Sequence, residues 1–599
     1  MVEPSDAAPS PATDPWDDFL PGIERGISEG LNALGVPLAP AGVAEQLELD
    51  GSDEGDVAFP VFRFAGPARL PPPEFAARLA AAIPPDPAVL AVRAKGGYVN
   101  VRVDPTALAG RTLALVAARG PRYGHADGRA TPACVEHTSA NTTGPFHIGR
   151  VRNAIIGDTL ARILAAAGQP VTTQYYVDDM GRQAAMITWI WSQSRDAWPA
   201  AVRAAVDGHE RDGEKPDLHW GRPYPAVSAL VKDDEGVRGQ VAEVVRAIET
   251  GAAPPRHHEL VQAILDGMLA SLARLGIRFD EFVWESGFVR DGSVDRVLAR
   301  LAQAPHAVRE SNGALAIDAS SYRLPKESSH VVVQRGDGTS LYVTRDVAYH
   351  LAKFARFRRA VDVLGQDHQL HARTLDALLA EVGESRRPEF LIYQDITVPE
   401  GGRMSTRGGS AVWLDQLLDE AVERARAEVV ARRDDLDPAA IDRIAEAVAT
   451  GAVRYHVLRV APEKPVVFRW DDALSFEGRS GPFVQYAYAR AASVLRKAER
   501  PDGPIPFDAR LLVDPDELGL VRVLARFPRV VRAAARTNHV HAVAGYAHDV
   551  ADRFNRFYHA VPVLKSGAER STRLALVAAV RQTLGNALDL IGVPRLETM

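Results

Sequence analysis

Cys134-Val135-Glu136-His137-Thr138-Ser139-Ala140-Asn141-Thr142-Thr143-Gly144-Pro145-Phe146-His147-Ile148-Gly149-Arg150 is the stretch that decides the fold. Its first five residues read as a short strand, and Ser139 to Gly144 as a turn-rich loop. From Ile148 to Ala167 apolar residues recur at helical spacing (Ile155, Ile156, Leu160, Ile163, Leu164), and Gly168 is placed to stop the helix. Pro170 to Val177 returns as a strand. Such a strand–loop–helix–strand unit demands a parallel pair joined by a right-handed crossover.

Downstream, the pattern repeats from Ser328. His330–Gln334 and Leu341–Thr344 flank Gly336-Asp337-Gly338 and predict a hairpin. A helix over 346–356, a strand over 360–365, a helix over 369–382 and a strand over 389–398 follow. Between the halves, about 188–320, lies an insertion of mixed helical character. Two α/β halves around an insertion predict a Rossmann-type, doubly wound nucleotide-binding core over 123–435. Upstream, residues 1–15 read as a floppy leader and 16–122 as a small α+β domain. That domain has a helix near 19–34 and strands at 57–64 and 97–103, and Gly120 to Pro132 reads as a linker. From 436 to 599 strand signals fade, and Ala and Leu at three-four spacing predict an all-α bundle.

Composition bounds the function. A chain of 599 residues exceeds one compact core, and about 150 residues per domain gives roughly four units. Apolar residues at 46% and charged residues at 25% exclude wholesale disorder. The net charge of -7 excludes a globally basic nucleic-acid binder, although not a local basic face. One cysteine, Cys134, rules out an intrachain disulfide and a multi-thiolate zinc cage. No run approaches the roughly 20 apolar residues of a membrane span, and Met1 to Asp18 lacks a secretory pattern. A soluble cytoplasmic enzyme without membrane contact is the expectation.

Two constellations carry chemistry. Gly144 to Arg150 sits where a strand gives way to a helix, whose unpaired N–H groups attract phosphate. His147 can donate to a phosphate oxygen, Gly149 permits close backbone approach, and Arg150 brings fixed charge. The alternative is a plain β–α turn. The second constellation is Arg403-Met404-Ser405-Thr406-Arg407-Gly408-Gly409, a cationic loop ahead of an amphipathic helix that contains Leu414, Leu417, Leu418 and Ala421. It suits a pyrophosphate leaving group; a solvated turn is the alternative. No Gly-Lys-Ser/Thr step exists, so a P-loop is unsupported.

In this order, the two resemble the HIGH and KMSKS motifs of class I aminoacyl-tRNA synthetases. The stretch Val135 to Gly149 is similar to arginyl-tRNA synthetases in particular. So are Tyr175-Tyr176-Val177-Asp178-Asp179, Leu341-Tyr342-Val343-Thr344-Arg345-Asp346-Val347-Ala348-Tyr349-His350 and Phe483-Val484-Gln485-Tyr486-Ala487-Tyr488-Ala489-Arg490. The detail resembles archaeal, halobacterial-type members.

The resemblance implies activation of L-arginine on ATP with Mg2+ and transfer to tRNA(Arg). It also implies a monomer without a tightly bound protein metal. It places Glu136, Ser139, Asn141, Tyr342, Asp346 and Gln366 on the substrate arginine, with Asp367 or His368 as neighbouring choices for the last. His147, Gly149, Arg150, Gly365, Asp367 and Met404 fall on ATP, and His147, Arg150, Arg403, Ser405 and Arg407 on catalysis. Tyr98, Asn100, Gln485, Tyr486, Tyr488, Arg526 and Arg529 fall on tRNA. A planar, permanently charged guanidinium fits a carboxylate flanked by acceptors, which lysine cannot satisfy, so the insertion need not edit. Three departures stand out. Arg150 replaces the second histidine of HIGH, and Thr406 replaces the second lysine of KMSKS. Gly144 stands where many members place a compensating lysine.

Independently of the resemblance, Arg522, Arg526, Arg529, Arg532 and Arg536 recur on one helical side, with no acid from Leu518 to His548. Phosphate contact and an intramolecularly paired face are both open readings. Two other functions stay in view: a paralogue that binds tRNA for regulation, and a class I ligase for another amino acid.

Overall fold

In the computed structural model the described residues are 13–49, 54–128, 130–208, 213–397, 412–500 and 503–599. The loop carrying Arg403, Met404, Ser405, Thr406 and Arg407 lies outside them. The chain divides into two units. One comprises Arg129–Leu474 with Asn538–His541, the other Met1–Gly128 with Ser475–Thr537 and Ala542–Met599.

The first unit is built on the predicted strand–helix–strand. Ala133–Glu136 leads through the loop to the helix Ile148–Ala166. There Gly168, at φ +85°, donates to the Ala165 carbonyl and turns the chain into Val171–Val177. Five parallel strands line up as Glu389–Tyr393, Arg359–Gly365, Ala133–Glu136, Val171–Val177 and Glu281–Trp284. Ala133, Cys134 and Val135 are buried, as a central parallel strand covered on both faces requires. Chain order reverses between Ala133–Glu136 and Arg359–Gly365, so a crevice opens beyond the carboxyl ends of those two strands.

Four expectations need correction here. The strand Glu281–Trp284 belongs to the main sheet, so the region 188–320 is not one continuous insertion; four residues carry too little periodicity to be seen. His330–Gln334 pairs antiparallel with Leu315–Asp318 instead of forming a hairpin with 341–344; a single bridge, Gln334 to Ser340, is all that remains of it. Tyr342–Arg356 is one helix, and Leu341–Thr344 is its first turn. Finally, the helix Pro438–Leu458, expected in the terminal bundle, packs with the sheet unit. Its Arg454 is fully buried and donates to Asp158 on Ile148–Ala166 and, at 2.8 Å, to the Leu275 carbonyl. Removing one partner of a buried pair of this kind costs about 3–5 kcal/mol, so the helix is held to this core.

In the second unit Val57–Pro60, Tyr98–Val103 and Val89–Lys95 form an antiparallel sheet in that order. Its helices include Leu20–Ala33, Pro105–Arg119, Gly481–Lys497, Pro515–Ala525, Phe527–Thr537, His541–Ala560 and Arg570–Ile591. The expected linker is partly structural: Tyr123 is fully buried and donates to the Leu524 carbonyl at 2.9 Å, and Asn586 donates to the carbonyls of Gly120 and Tyr123. The segment before residue 128 is thereby tied to the helical bundle instead of separating from it. Contrary to the sequence expectation, Arg570–Ile591 is long and apolar enough to cross a bilayer, but 78% of its most apolar window is buried within the protein, as in a core helix.

Candidate active site

Glu136 ends the central strand, and the backbone beyond it is strained: Thr138 and Ser139 have φ of +71° and +36°, values side chains other than glycine rarely adopt. Asn153, on the helix Ile148–Ala166, holds that turn. Its Oδ1 accepts from the Thr138 N–H at 2.6 Å, and its Nδ2 donates to the Val363 carbonyl across the switch point at 2.8 Å. The Ser139 hydroxyl donates to Glu136 Oε1 at 3.1 Å and accepts from the Tyr176 N–H at 3.1 Å. The turn thus aims Glu136, Ser139 and Asn141 over the crevice.

A cavity of about 630 Å3 fills that crevice. Glu136, Ser139, Asn141, Tyr342, Asp346, Gly365, Asp367 and Arg150 all line it, from three separate sequence regions. Gln366 does not; it is exposed, and the wall at that point is made by Asp367 and His368. Sequence reasoning missed Tyr176, Asp178, Glu285 and His371, which line it too. The hydroxyl of Tyr176 is buried with no hydrogen-bond partner among the described residues, and its ring stacks on Tyr349 at 4.5 Å. An unsatisfied buried donor in a cavity wall invites a ligand acceptor. Five carboxyl groups line it (Glu136, Asp178, Glu285, Asp346, Asp367); Lys353 pairs with Glu136 and Arg345 with Glu285, so Asp178, Asp346 and Asp367 remain, facing Arg150 and two histidines, to receive a cation.

Asp346 lies one helical turn from Tyr342 on a single helix, not across a strand–helix junction, and Leu341 holds the N-cap position. Its carboxylate is paired with His371 Nε2, and the Tyr342 ring lies 5.2 Å from that imidazole. Burial disfavours the charge on Asp346, yet the His371 hydrogen bond and the electrostatic pull of His371, His350 and Lys353 outweigh it and hold the carboxyl below 3.8. Burial likewise disfavours charge on His371, but Asp346 prevails and raises it above 6.5. Asp346 therefore adds stability above pH 3.8 that disappears as pH falls through its lower folded value. His371 adds stability below pH 6.5 that disappears as pH rises through its higher folded value. Melting curves of His371→Gln against the parent should differ most between these limits, by about 2 kcal/mol, and converge in acid.

A second cavity, of about 610 Å3, is lined by Asn141, Gly144, His147, Arg150 and Trp413. His147 caps the helix, its Nδ1 accepting from the Gly149 N–H at 3.0 Å, which leaves the proton of the neutral ring on Nε2. Burial and then Arg150 lower its pKa, so the ring is neutral at pH 7. Gly149 keeps that cap unstrained, because a Cβ would stand 3.0 Å from Nδ1 and push the ring by a few tenths of an ångström. The cradle of free N–H groups expected here is partly used up: Gly149 serves His147, and Ile148 donates to the Val412 carbonyl at 3.0 Å. That leaves Arg150 as the fixed anion-binding group. Among the described residues its guanidinium has no salt bridge or hydrogen-bond partner, and it faces both cavities. Gly144 packs against Gly221, where a Cβ would sit 2.3 Å from the Gly144 Cα. Gly221→Ala should displace this loop and reduce activity by at least about tenfold, with the fold unchanged by circular dichroism.

The other expected residues divide. Gln485 is fully buried and donates to the Pro594 carbonyl at 3.0 Å, and Tyr488 is buried with its hydroxyl on Glu597 at 2.8 Å; both serve packing, which corrects their expected place on tRNA. Tyr486 stays exposed, with Arg490 over its ring at 4.7 Å. Asn100 is buried within the sheet, and Tyr98 meets Phe62 edge-on at 5.4 Å. The arginine stripe runs over two helices that break at Arg526. Arg529 and Arg532 pair with the buried Asp14, and Arg522 with Asp56. Arg526 and Arg536 have no such partner among the described residues and line a groove with Arg529 and Arg532. His257 is buried, with its ring nitrogens 2.7 Å from the Thr188 hydroxyl and 2.7 Å from the Asp179 carbonyl.

A switch-point crevice beside a helix-capping histidine is the catalytic architecture of class I aminoacyl-tRNA synthetases, and residues 113–470 match the family model for the catalytic domain, "tRNA synthetases class I (R)". Residues 22–103 match "Arginyl tRNA synthetase N terminal domain" and residues 484–599 "DALR anticodon binding domain". An arginine–tRNA ligase from Methanothermobacter thermautotrophicus is 42% identical, over 96% of this chain and 98% of that protein. One from Haloarcula marismortui is 41% identical, over 95% and 98%. The solved Thermus thermophilus arginyl-tRNA synthetase superposes with a TM-score of 0.81 at 32% identity, covering 97% of this chain and all of that one. The chain belongs to the arginyl-tRNA synthetase family.

Proposed function

We infer that this protein is an arginine–tRNA ligase that takes L-arginine into the acidic cavity and ATP across its mouth. The observation that carries this is Arg150, whose guanidinium has no ion-pair partner among the described residues and stands between a wall of carboxyl groups and the capping His147. In this reading the substrate guanidinium meets Asp346 and Tyr342, while Glu136, Ser139 and Asn141 hold the other end. The arginine carboxylate attacks the α-phosphate of ATP, and pyrophosphate leaves with its Mg2+. The terminal ribose of tRNA(Arg) then takes the arginyl group, releasing AMP. His147 Nε2 and Arg150 donate to phosphate oxygens as charge develops, so catalysis is positioning and charge neutralisation. Arg403, Ser405 and Arg407 complete the phosphate contacts and Met404 the nucleotide contact in this reading, with Gly365 and Asp367 beside the nucleoside. The deciding assay is arginine-dependent ATP–pyrophosphate exchange with and without tRNA(Arg); activity on arginine but not lysine or citrulline is expected, and no exchange under either condition favours the regulatory paralogue.

For tRNA, Arg526 and Arg536, which have no ion-pair partner among the described residues, are the phosphate contacts best supported, with Arg529 beside them in the groove and Tyr486 and Tyr98 as further contacts. Replacing Arg526 and Arg536 by alanine should lower the slope of log K against log salt by about one unit per lost contact. An unchanged slope leaves the stripe to intramolecular pairing. The enzyme would act as a cytoplasmic monomer.

A further inference from the structure

Beneath the acidic cavity lies a charged cluster in which only Glu136 has an assigned role. Lys353 is 1% exposed, and its Nζ lies 2.5 Å from Glu136 Oε2, 2.7 Å from Asp362 Oδ1 and 3.3 Å from His350 Nε2. His350 Nε2 meets Asp362 Oδ2 at 2.7 Å, and its Nδ1 meets the backbone carbonyl of Asp346 at 2.8 Å. The ammonium also sits 4.0 Å over the ring of Tyr349, which stacks on Tyr176 in the cavity wall. Three elements meet here: the central strand gives Glu136, the neighbouring strand Asp362, and the helix Tyr342–Arg356 gives His350 and Lys353.

Burying an ammonium is costly unless it is paired and fully hydrogen-bonded. Here it is paired twice. Burial disfavours its charge, but Asp362 and Glu136 outweigh that and hold the pKa above the usual lysine value. The ligand atoms of Glu136, His350 and Asp362 lie within 4.8 Å of one another, a grouping able to hold a metal ion, and the ammonium stands within reach of all three. Glu136 has one oxygen on Lys353 and the other on Ser139, so its carboxylate has a single orientation.

We propose that Lys353 is a positioning residue for arginine: its ammonium takes the place of a bound cation among Glu136, Asp362 and His350, and so fixes the Glu136 carboxylate toward the substrate cavity. The proposal rests on the reading that this cavity receives arginine. Lys353 touches no substrate; it sets the charge and aim of a group that does.

The test is the split of KM and kcat in arginine-dependent ATP–pyrophosphate exchange with tRNA(Arg) present. Lys353→Ala should raise KM for arginine on the order of 10²-fold and leave KM for ATP nearly unchanged. Propylammonium, which replaces the three carbons and the nitrogen removed, should recover a large part of that loss, and propanol at equal concentration should not. A raised KM that propylammonium does not lower assigns Lys353 to packing and overturns the proposal. Because Lys353→Ala leaves two carboxylates facing each other, the charge-balanced pair Lys353→Met with Asp362→Asn provides a second variant less prone to misfold. It should show the same selective rise, and a folded double variant with unchanged KM for arginine also overturns the proposal. Glu136→Gln, run in parallel, separates the two layers. If it too leaves KM for arginine unchanged, the reading of the cavity fails; if it raises KM while both Lys353 variants do not, only the role of Lys353 fails.

Discussion

Arg150→Ala lowers the kcat of arginine-dependent ATP–pyrophosphate exchange by about 10²–10³-fold, the usual loss on removing one well-aimed transition-state donor. The reason is geometric. The first N–H groups of the helix are engaged by the His147 ring and the Val412 carbonyl, so no spare backbone donors take over when the guanidinium goes. Among the described residues no carboxylate pairs with Arg150, so none is left stranded and the folded state should tolerate the change. KM for arginine should move by less than about threefold, because Arg150 acts on phosphate whereas Asp346 acts on the guanidinium. Arg150→Lys should recover only part of the rate, since a point charge on a flexible stem does not reproduce a planar fork. Measured rates within threefold of the parent for Arg150→Ala would remove this residue from the reaction.

Asp346→Asn raises KM for arginine by about 10²–10³-fold, because a buried charge pair that loses one partner costs roughly 2–5 kcal/mol. The same change should improve the competition of citrulline, whose neutral ureido group no longer faces a carboxylate. The resident partner His371 sharpens the contrast. In the parent, arginine must share Asp346 with the His371 imidazole, whereas in Asp346→Asn His371 loses the anion that raises its pKa. Exchange kinetics with arginine as substrate and citrulline as inhibitor measure both effects. An unchanged ratio of the two affinities would place the guanidinium elsewhere.

Much of this site is visible in the chain itself, and the exceptions have physical causes. The strand–loop–helix around Glu136 to Arg150 is local, with its own glycine stop, so its periodicity survives in the fold. The strand Glu281–Trp284 is four residues long and takes its place only by pairing with Val171–Val177, information that lies a hundred residues away. The stretch Leu341–Thr344 misleads because Tyr, Val and Thr favour strands, while burial of Val343 and Val347 on one side selects the helix. Read as a helix from Tyr342, the spacing of Asp346, His350 and Lys353 would have shown one charged face and pointed to the cluster with Asp362.

The arginine stripe and the tyrosines of the bundle illustrate a second limit. A charge-free-of-acids stretch such as Leu518 to His548 looks unpaired in sequence, but its partners Asp14 and Asp56 come from the far N-terminal end of the chain. Likewise, Tyr486 and Tyr488 are two apart and look equivalent, yet on a helix such residues point different ways. One stays exposed and the other is buried against Glu597.

The most direct test of the whole account is a crystal structure of the protein with a non-hydrolysable arginyl-adenylate analogue. The account predicts the guanidinium within hydrogen-bonding distance of Asp346 and the phosphate mimic beside Arg150 and His147 Nε2. An analogue bound elsewhere, with the cavity between Glu136 and Asp346 left empty, would contradict it.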